Sequence, residues 1–154
     1  MARGILAKID NQDLSWLEDD VTEDFVANVP STGDCRSPDE AAAWFRVEWD
    51  AISDWRVEVI AIAANGDDVL VRWRMTGTHT GRLEGIDGTG KPVETHGFDH
   101  LSFRDGKLAS LFLRFDQTEF ALGIGMMPPA GSLPDRVVKA VFNLRTKLGR
   151  RRRP

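Results

Sequence analysis

Two carboxyl groups and one indole stand out as side chains that could do chemistry in an apolar setting. Asp99 lies in Gly97-Phe98-Asp99-His100-Leu101-Ser102-Phe103, where strand alternation puts it on one face with Gly97, Leu101 and Phe103. That face carries the bulky apolar residues and is expected to be concave. An inward carboxyl is costly unless protonated or hydrogen-bonded. Asp99 is therefore either a polarising acid or a satisfied buried one, bonded to Asn28 or to backbone. Trp73 shares its face with Val71 and Met75, and it lines or fills the same space. Asp116 closes the apolar run Leu111-Phe112-Leu113-Arg114-Phe115. A carboxylate in such surroundings has its pKa raised toward working pH and can carry protons. Alternation sets Leu111, Leu113 and Phe115 opposite Asp116, so its entry into a pocket requires the strand to end or bulge there.

Other chemistries are poorly served. His96 and His100 fall on the face opposite Asp99, toward solvent or a subunit contact. The spacing of His79, Asp87, His96 and Asp99 matches no metal-ligand pattern. The chain has no phosphate-cradling Gly-x-x-x-x-Gly-Lys, no Gly-x-Ser-x-Gly elbow and no dinucleotide fingerprint on a strand-to-helix turn. No metal and no cofactor is expected. Cys35 is the one cysteine, which excludes a disulfide within the chain and reads as an inert thiol in a reducing cytoplasm.

The elements that must position these groups change character along the chain. Ile5, Leu6 and Ile9 share a helical face, and Leu14, Leu17 and Val21 recur at helical spacing after Asn11-Gln12-Asp13. A short strand is expected over 25–29 and a loop over 31–37. Ser37-Pro38-Asp39-Glu40 opens a helix with a capping serine, a proline at its first position and acids in its first turn. Its apolar stripe is Ala42, Phe45, Trp49 and Ile52, and Trp44 and Trp49 read as core. From Trp55 the period becomes two, giving four long strands with turns at Asn65-Gly66-Asp67-Asp68 and Arg104-Asp105-Gly106-Lys107. A glycine-rich excursion spans 81–92.

Helices first and then antiparallel strands imply an α+β fold. Three short helices cannot cover four long strands if the sheet stays flat, so the sheet must coil around them and leave an interior pocket. One or two helical turns are expected over 117–122. An amphipathic helix follows from Pro134, with Val137, Val138, Val141, Phe142, Leu144 and Leu148 as apolar positions, before Gly149 and four arginines. The expected organisation is a domain over 1–127, a linker over 128–133 and a basic helix with an arginine tail over 134–154.

Bulk composition agrees with one globular unit. The chain has 154 residues, 42% hydrophobic and 29% charged, which argues against wholesale disorder. The formal net charge of -4 disfavours general nucleic-acid binding. It is unevenly spread. Residues 134–154 hold eight basic residues and one acid, a net +7, so the first 133 carry -4 minus 7, or -11. Most such basic tails are solvated, but this one also suits docking to an acidic carrier domain or a membrane surface. No run approaches the ~20 apolar residues of a membrane span, and Met1 to Leu17 lacks the apolar core of a signal peptide. A cytoplasmic location is expected.

Several motifs carry a resemblance. Val71-Arg72-Trp73 followed by Gly77-Thr78-His79-Thr80-Gly81, then Gly85-Ile86-Asp87-Gly88-Thr89-Gly90-Lys91-Pro92-Val93, resembles the SnoaL-like polyketide (ester) cyclases. Gly97-Phe98-Asp99-His100-Leu101-Ser102-Phe103 and Asp105-Gly106-Lys107 extend the resemblance over about residues 10–127. It implies the cone-shaped α+β barrel of the nuclear transport factor 2-like superfamily, with a curved, mixed or antiparallel sheet wrapped around the N-terminal helices. It also implies cofactor-independent aldol cyclisation of an aromatic or polycyclic substrate, and a homodimer paired through exposed sheet faces.

In such cyclases a carboxylate after the last long strand is the acid and base, and Asp116 matches it. Leu111 stands where relatives often carry histidine, five residues earlier, and Asn28 replaces a histidine at the pocket rim. These two replacements favour an alternative, a non-catalytic hydrophobic-ligand-binding or accessory protein. Asn28, Trp73, His79 and Leu111 are the expected substrate-binding positions, with Asp116 and Asp99 catalytic. Asp99 also resembles the oxyanion-binding acid of ketosteroid isomerases, which need a tyrosine as well, and this chain has none. An epoxide hydrolase is the weaker reading, because its Arg-x-Asp pair would fall near Trp73 and Met75, where no acid stands.

Overall fold

The computed structural model describes residues 1–30 and 33–150, with side chains described through Lys147. Ser31, Thr32, the Leu148 side chain and the expected arginine tail beyond 150 lie outside the described residues. Apolar spacing makes α1 (Ala2–Asp10), which buries Ala2, Ile5, Leu6 and Ile9. The expected second helix is a single turn, α2 (Trp16–Asp19), and Val21 already belongs to strand β1 (Val21–Val29). The cause is a competing partner: the Asp20 carbonyl accepts from Leu108 N–H, and Val21 pairs with Leu108. β1 is thus longer than the expected 25–29. The loop expected over 31–37 contains a short strand, β2 (Gly33–Cys35), paired antiparallel with β1.

Helix α3 (Pro38–Ala51) starts as its sequence requires, with Ser37 Oγ accepting from Glu40 N–H at 3.2 Å. It passes without a loop into β3 (Ile52–Asn65). Strands β4 (Asp68–His79), β5 (Pro92–Arg104) and β6 (Lys107–Phe115) complete a six-stranded sheet of order β2-β1-β6-β5-β4-β3. All neighbouring pairs are antiparallel except β1 with β6, so the sheet is mixed. It is curled but not closed, with α1, α2 and α3 in its concavity. Trp16, wholly buried, is the hub there: Phe25 and Phe45 meet its ring edge-to-face at 6.1 and 5.7 Å.

Two devices hold the curl. Asp10, at the end of α1, accepts from Val57 N–H at 2.6 Å and ties the helix to β3 between that strand's register shifts. Gly77 is the second: a Cβ there would meet the Ile52 side chain and lie 2.7 Å from the Ser53 carbonyl, so only glycine lets β3 cross β4 this closely. The short helix α4 (Gln117–Gly123) follows β6, and α5 (Leu133–Arg150) follows the Pro128-Pro129 segment. Among the described residues no helix is long and apolar enough to cross a membrane.

Candidate functional site: an apolar cavity with two elevated carboxyls

The curl encloses a narrow cavity of about 40 Å³ between α1, α3, α4 and strands β3 to β6. Its wall is overwhelmingly apolar, with Leu6 and Ile9 from α1, Trp44 and Phe45 from α3, and Trp55, Trp73 and Met75 from the sheet. The polar side chains reaching it are few, which is how small-molecule sites combine burial with orientation.

Asp99 is the one ionisable group among them that is sealed from solvent, only 3% exposed. Its Oδ1 accepts from Trp73 Nε1 at 2.8 Å. This bond depends on register and on a glycine. Trp73 pairs with Gly97, two residues before Asp99, and a Cβ on Gly97 would collide with the Trp73 ring and lie 2.6 Å from the Arg114 carbonyl. The indole therefore lies in the notch over Gly97 and reaches along β5 to the carboxyl. Burial pushes the Asp99 pKa up to about 7, against the opposing pull of the Trp73 bond. Sequence reasoning had the face right and the partner wrong, since neither Asn28 nor backbone holds Asp99.

A second acid faces the same space. Glu48, half-buried on α3, lines both this cavity and an adjoining vestibule bounded by Leu83, Glu84, Ile86 and Met126. Burial raises its pKa to about 7, and the nearby charge of Glu84 adds to the rise. The sequence reading missed Glu48. Its signal was an acid four residues after Trp44 and three after Phe45, beside the apolar stripe of an amphipathic helix. Trp44, expected in the core, packs against Phe45 there and also lines the cavity. So does Trp55, whose Nε1–H is buried without a partner. A donor left bare on the wall of a cavity is costly in the empty protein.

The remaining expected site residues lie elsewhere. Asp116 does not reach the cavity, because β6 ends at Phe115 and the exposed Asp116 carboxylate caps α4, accepting from Thr118 N–H at 2.9 Å and Glu119 N–H at 3.0 Å. Leu111, 2% exposed, packs in the core opposite Leu101 and Ala27. Asn28 bonds Asp34 and Arg114 where β2, β1 and β6 adjoin, away from the cavity. His79 is fully buried and holds the glycine-rich excursion, its Nδ1 lying 3.2 Å from Thr89 Oγ1 and its backbone bonding Lys91 and Gly90. Of the six expected positions, Trp73 and Asp99 alone meet at the cavity. Among the described residues no group of three His, Cys, Asp or Glu side chains is placed to hold a metal ion.

A family model of the SnoaL-like polyketide cyclases matches residues 1–120. The chain belongs to this family. Among solved structures, this SnoaL-like chain is similar to AclR of Streptomyces galilaeus, a candidate hydroxylase, at 26% identity and a TM-score of 0.71. That superposition covers 97% of this chain and 92% of AclR, so it takes in most of α5. IdmH of Streptomyces antibioticus, a candidate polyketide cyclase, shares the fold at 23% identity and a TM-score of 0.71, over 80% of this chain and 95% of IdmH. TsrD of Streptomyces laurentii shares it at 18% identity and a TM-score of 0.72, over 82% of this chain and 92% of TsrD. No curated protein matches this SnoaL-like chain.

Proposed function

We propose that this SnoaL-like protein is a cofactor-independent acid–base catalyst of the cyclase type, acting on a neutral aromatic or polycyclic carbonyl compound. One observation carries the reading: two carboxyls, Asp99 and Glu48, face one apolar cavity with pKa values raised to about 7. Carboxyls near neutrality can both take and return protons at working pH. An apolar wall with two such acids favours an uncharged ligand, since an anion would meet partial negative charge at both.

The groups divide the work. Asp99, steadied by Trp73, takes a proton from the carbon next to a carbonyl. The resulting carbanion attacks a second carbonyl of the same molecule, and the new alkoxide takes its proton from the Glu48 carboxylic acid. Solvent at the mouth then moves a proton from Asp99 back to Glu48. The bare Trp55 N–H supplies a donor to a ligand oxygen. Trp55 lies against Gly77 while Asp99 pairs with Val71. Trp55 and Asp99 thus enter the cavity from different stretches of the sheet, so a ligand oxygen near each can be held at once.

A second reading, a binding protein without turnover, is favoured by one specific observation: among the described residues no histidine lines the cavity. One experiment separates the two. 2-Tetralone, a neutral bicyclic ketone, is mixed with the protein in deuterated buffer, exchange next to its carbonyl is followed by NMR, and binding by quenching of tryptophan fluorescence. Accelerated exchange that disappears in Asp99→Asn, with binding retained, is the expected result. Binding with no acceleration decides for the second reading.

A further inference from the structure

The largest unexplained surface of the molecule is α5. Leu133, Val137, Val138, Val141, Phe142 and Leu144 are between 54% and 76% exposed, and no other element of the described chain covers them. Val137, Val141 and Leu144 follow one another at i, i+4 and i+7, so they form a continuous stripe, with Val138 and Phe142 widening it on one side. Arg136, Lys139 and Lys147 occupy the opposite face, while Arg145, four residues after Val141, ends the stripe on its own side. Monomeric proteins rarely leave an apolar patch of this extent uncovered.

The chain itself holds a matching surface. The vestibule at the cavity mouth is lined by Leu83, Ile86, Ile124 and Met126 together with the acids Glu48 and Glu84. Around it Leu122, Met126 and Met127 are 39%, 55% and 43% exposed. An apolar floor with Glu48 and Glu84 on one edge, and Lys91 beside Gly125 on another, complements a helix with an apolar stripe and basic flanks along its acidic edge.

The same chain's α5 is poorly placed to turn back onto that mouth. Its start is fastened by its own bonds: Gly131 N–H donates to Asp135 Oδ2 at 2.8 Å, Asp135 N–H to Ser132 Oγ at 3.3 Å, and Pro128-Pro129 stiffens the approach. Refolding this segment would break the cap. A second copy needs no such change.

We infer that α5 is an exchange arm, its apolar stripe seated over the vestibule of a second copy of this chain, beside that copy's Glu84. In the reciprocal pair each helix roofs the other's cavity mouth. The charge division supports a second copy over an anionic bilayer. The first 133 residues carry -11 and the remainder +7. A second copy offers its acidic body to the arm, whereas an anionic bilayer would repel the body it anchored. Area favours reciprocity. The apolar stripe from Leu133 to Leu144 is about 18 Å long and ~10 Å wide, so one contact hides about 180 Å² on each side. Only two reciprocal contacts, on the order of 700 Å² in all, approach the roughly 1,000 Å² of a specific interface. This pairing is distinct from the sheet-face pairing that the family resemblance implies.

Light scattering after gel filtration tests the inference on the full chain. The wild-type protein is expected at twice 17.2 kDa. Val141→Asp with Phe142→Asp should weaken pairing at least 100-fold while far-UV circular dichroism shows the fold retained, since those side chains are 54% and 69% exposed in their own subunit. Glu84→Lys should weaken it about tenfold. A monomeric wild-type protein overturns the inference. So does a pair that survives the double substitution, which would assign it to the sheet face. Flotation of the wild-type protein with phosphatidylglycerol–phosphatidylcholine vesicles, in place of pairing, assigns the arm to membranes. A pair indifferent to Glu84→Lys overturns the seat over the vestibule.

Discussion

The deep end of the cavity and its mouth hold carboxyls with the same elevated pKa, reached by different routes. At the deep end Asp99 is fixed on a central strand, sealed from water and held by one indole bond. At the mouth Glu48 sits on a helix, is shared with the vestibule and feels the charge of Glu84. A sealed acid has a defined position but exchanges its proton with solvent only slowly, by way of the mouth. A mouth acid has a route but less fixed surroundings. An acid–base cycle needs both properties, and this fold assigns them to different elements.

The sharpest way to break the contrast is Asp99→Asn. Turnover should fall by ~100-fold or more if Asp99 moves the proton, measured as exchange of 2-tetralone. Stability should move the other way. Asp99 ionises at 3.8 in its ordinary state and at about 7 in the fold. Between those values the folded chain keeps a proton that the unfolded chain has lost, so this group's contribution falls as pH rises from about 4 to 7 and stays low above. The full cost is on the order of 4 kcal/mol. Thermal melts at pH 8 should therefore show Asp99→Asn more stable than wild type, with the gap closing toward pH 4. A variant that melts lower at pH 8 would mean that Asp99 is not buried as a costly acid.

Gly97→Ala probes the notch that aligns the deep end. The new methyl meets the Trp73 ring and the Arg114 carbonyl, and a loss of about 2–3 kcal/mol in urea unfolding is expected. The Trp73–Asp99 bond should be lost with it, moving the acid limb of the exchange–pH profile.

Trp55→Phe separates the mouth from the deep end more gently. Removing a buried N–H without a partner should leave the empty protein as stable or about 1 kcal/mol more stable. Binding of 2-tetralone, read by quenching of the other tryptophans, should weaken about tenfold. Unchanged affinity would remove Trp55 as the donor to the ligand.

Asp116→Ala has the smallest expected effect. Loss of the α4 cap should cost ~1 kcal/mol, while exchange activity stays within twofold. A large loss of activity would return Asp116 to the mechanism.

Much of the fold could be read from pattern. Alternation over 97–103 was enough to turn Asp99 inward, and the Ser37-Pro38 cap placed α3. Pairing was not readable, because it depends on register between distant segments. That is why the Trp73–Asp99 bond, the strand from Val21 and β2 were missed. Glu48 was missed for a local reason. A helix stripe is defined by apolar residues, and an acid at its edge reads as solvated until the curled sheet closes over it. Asp116 was anticipated as conditional on where β6 ends, and it ends so that the side chain is used as a cap.

The passage from α3 into β3 without an intervening loop has its own consequence. Glu48 and Trp55 sit on either side of that junction, one on the helix and one on the outermost strand of the sheet. A ligand that presses on Trp44 and Glu48 would turn α3 as a lever whose other arm is β3. Amide protons along that edge, far from the bound molecule, should then slow or quicken their exchange with solvent when the cavity fills.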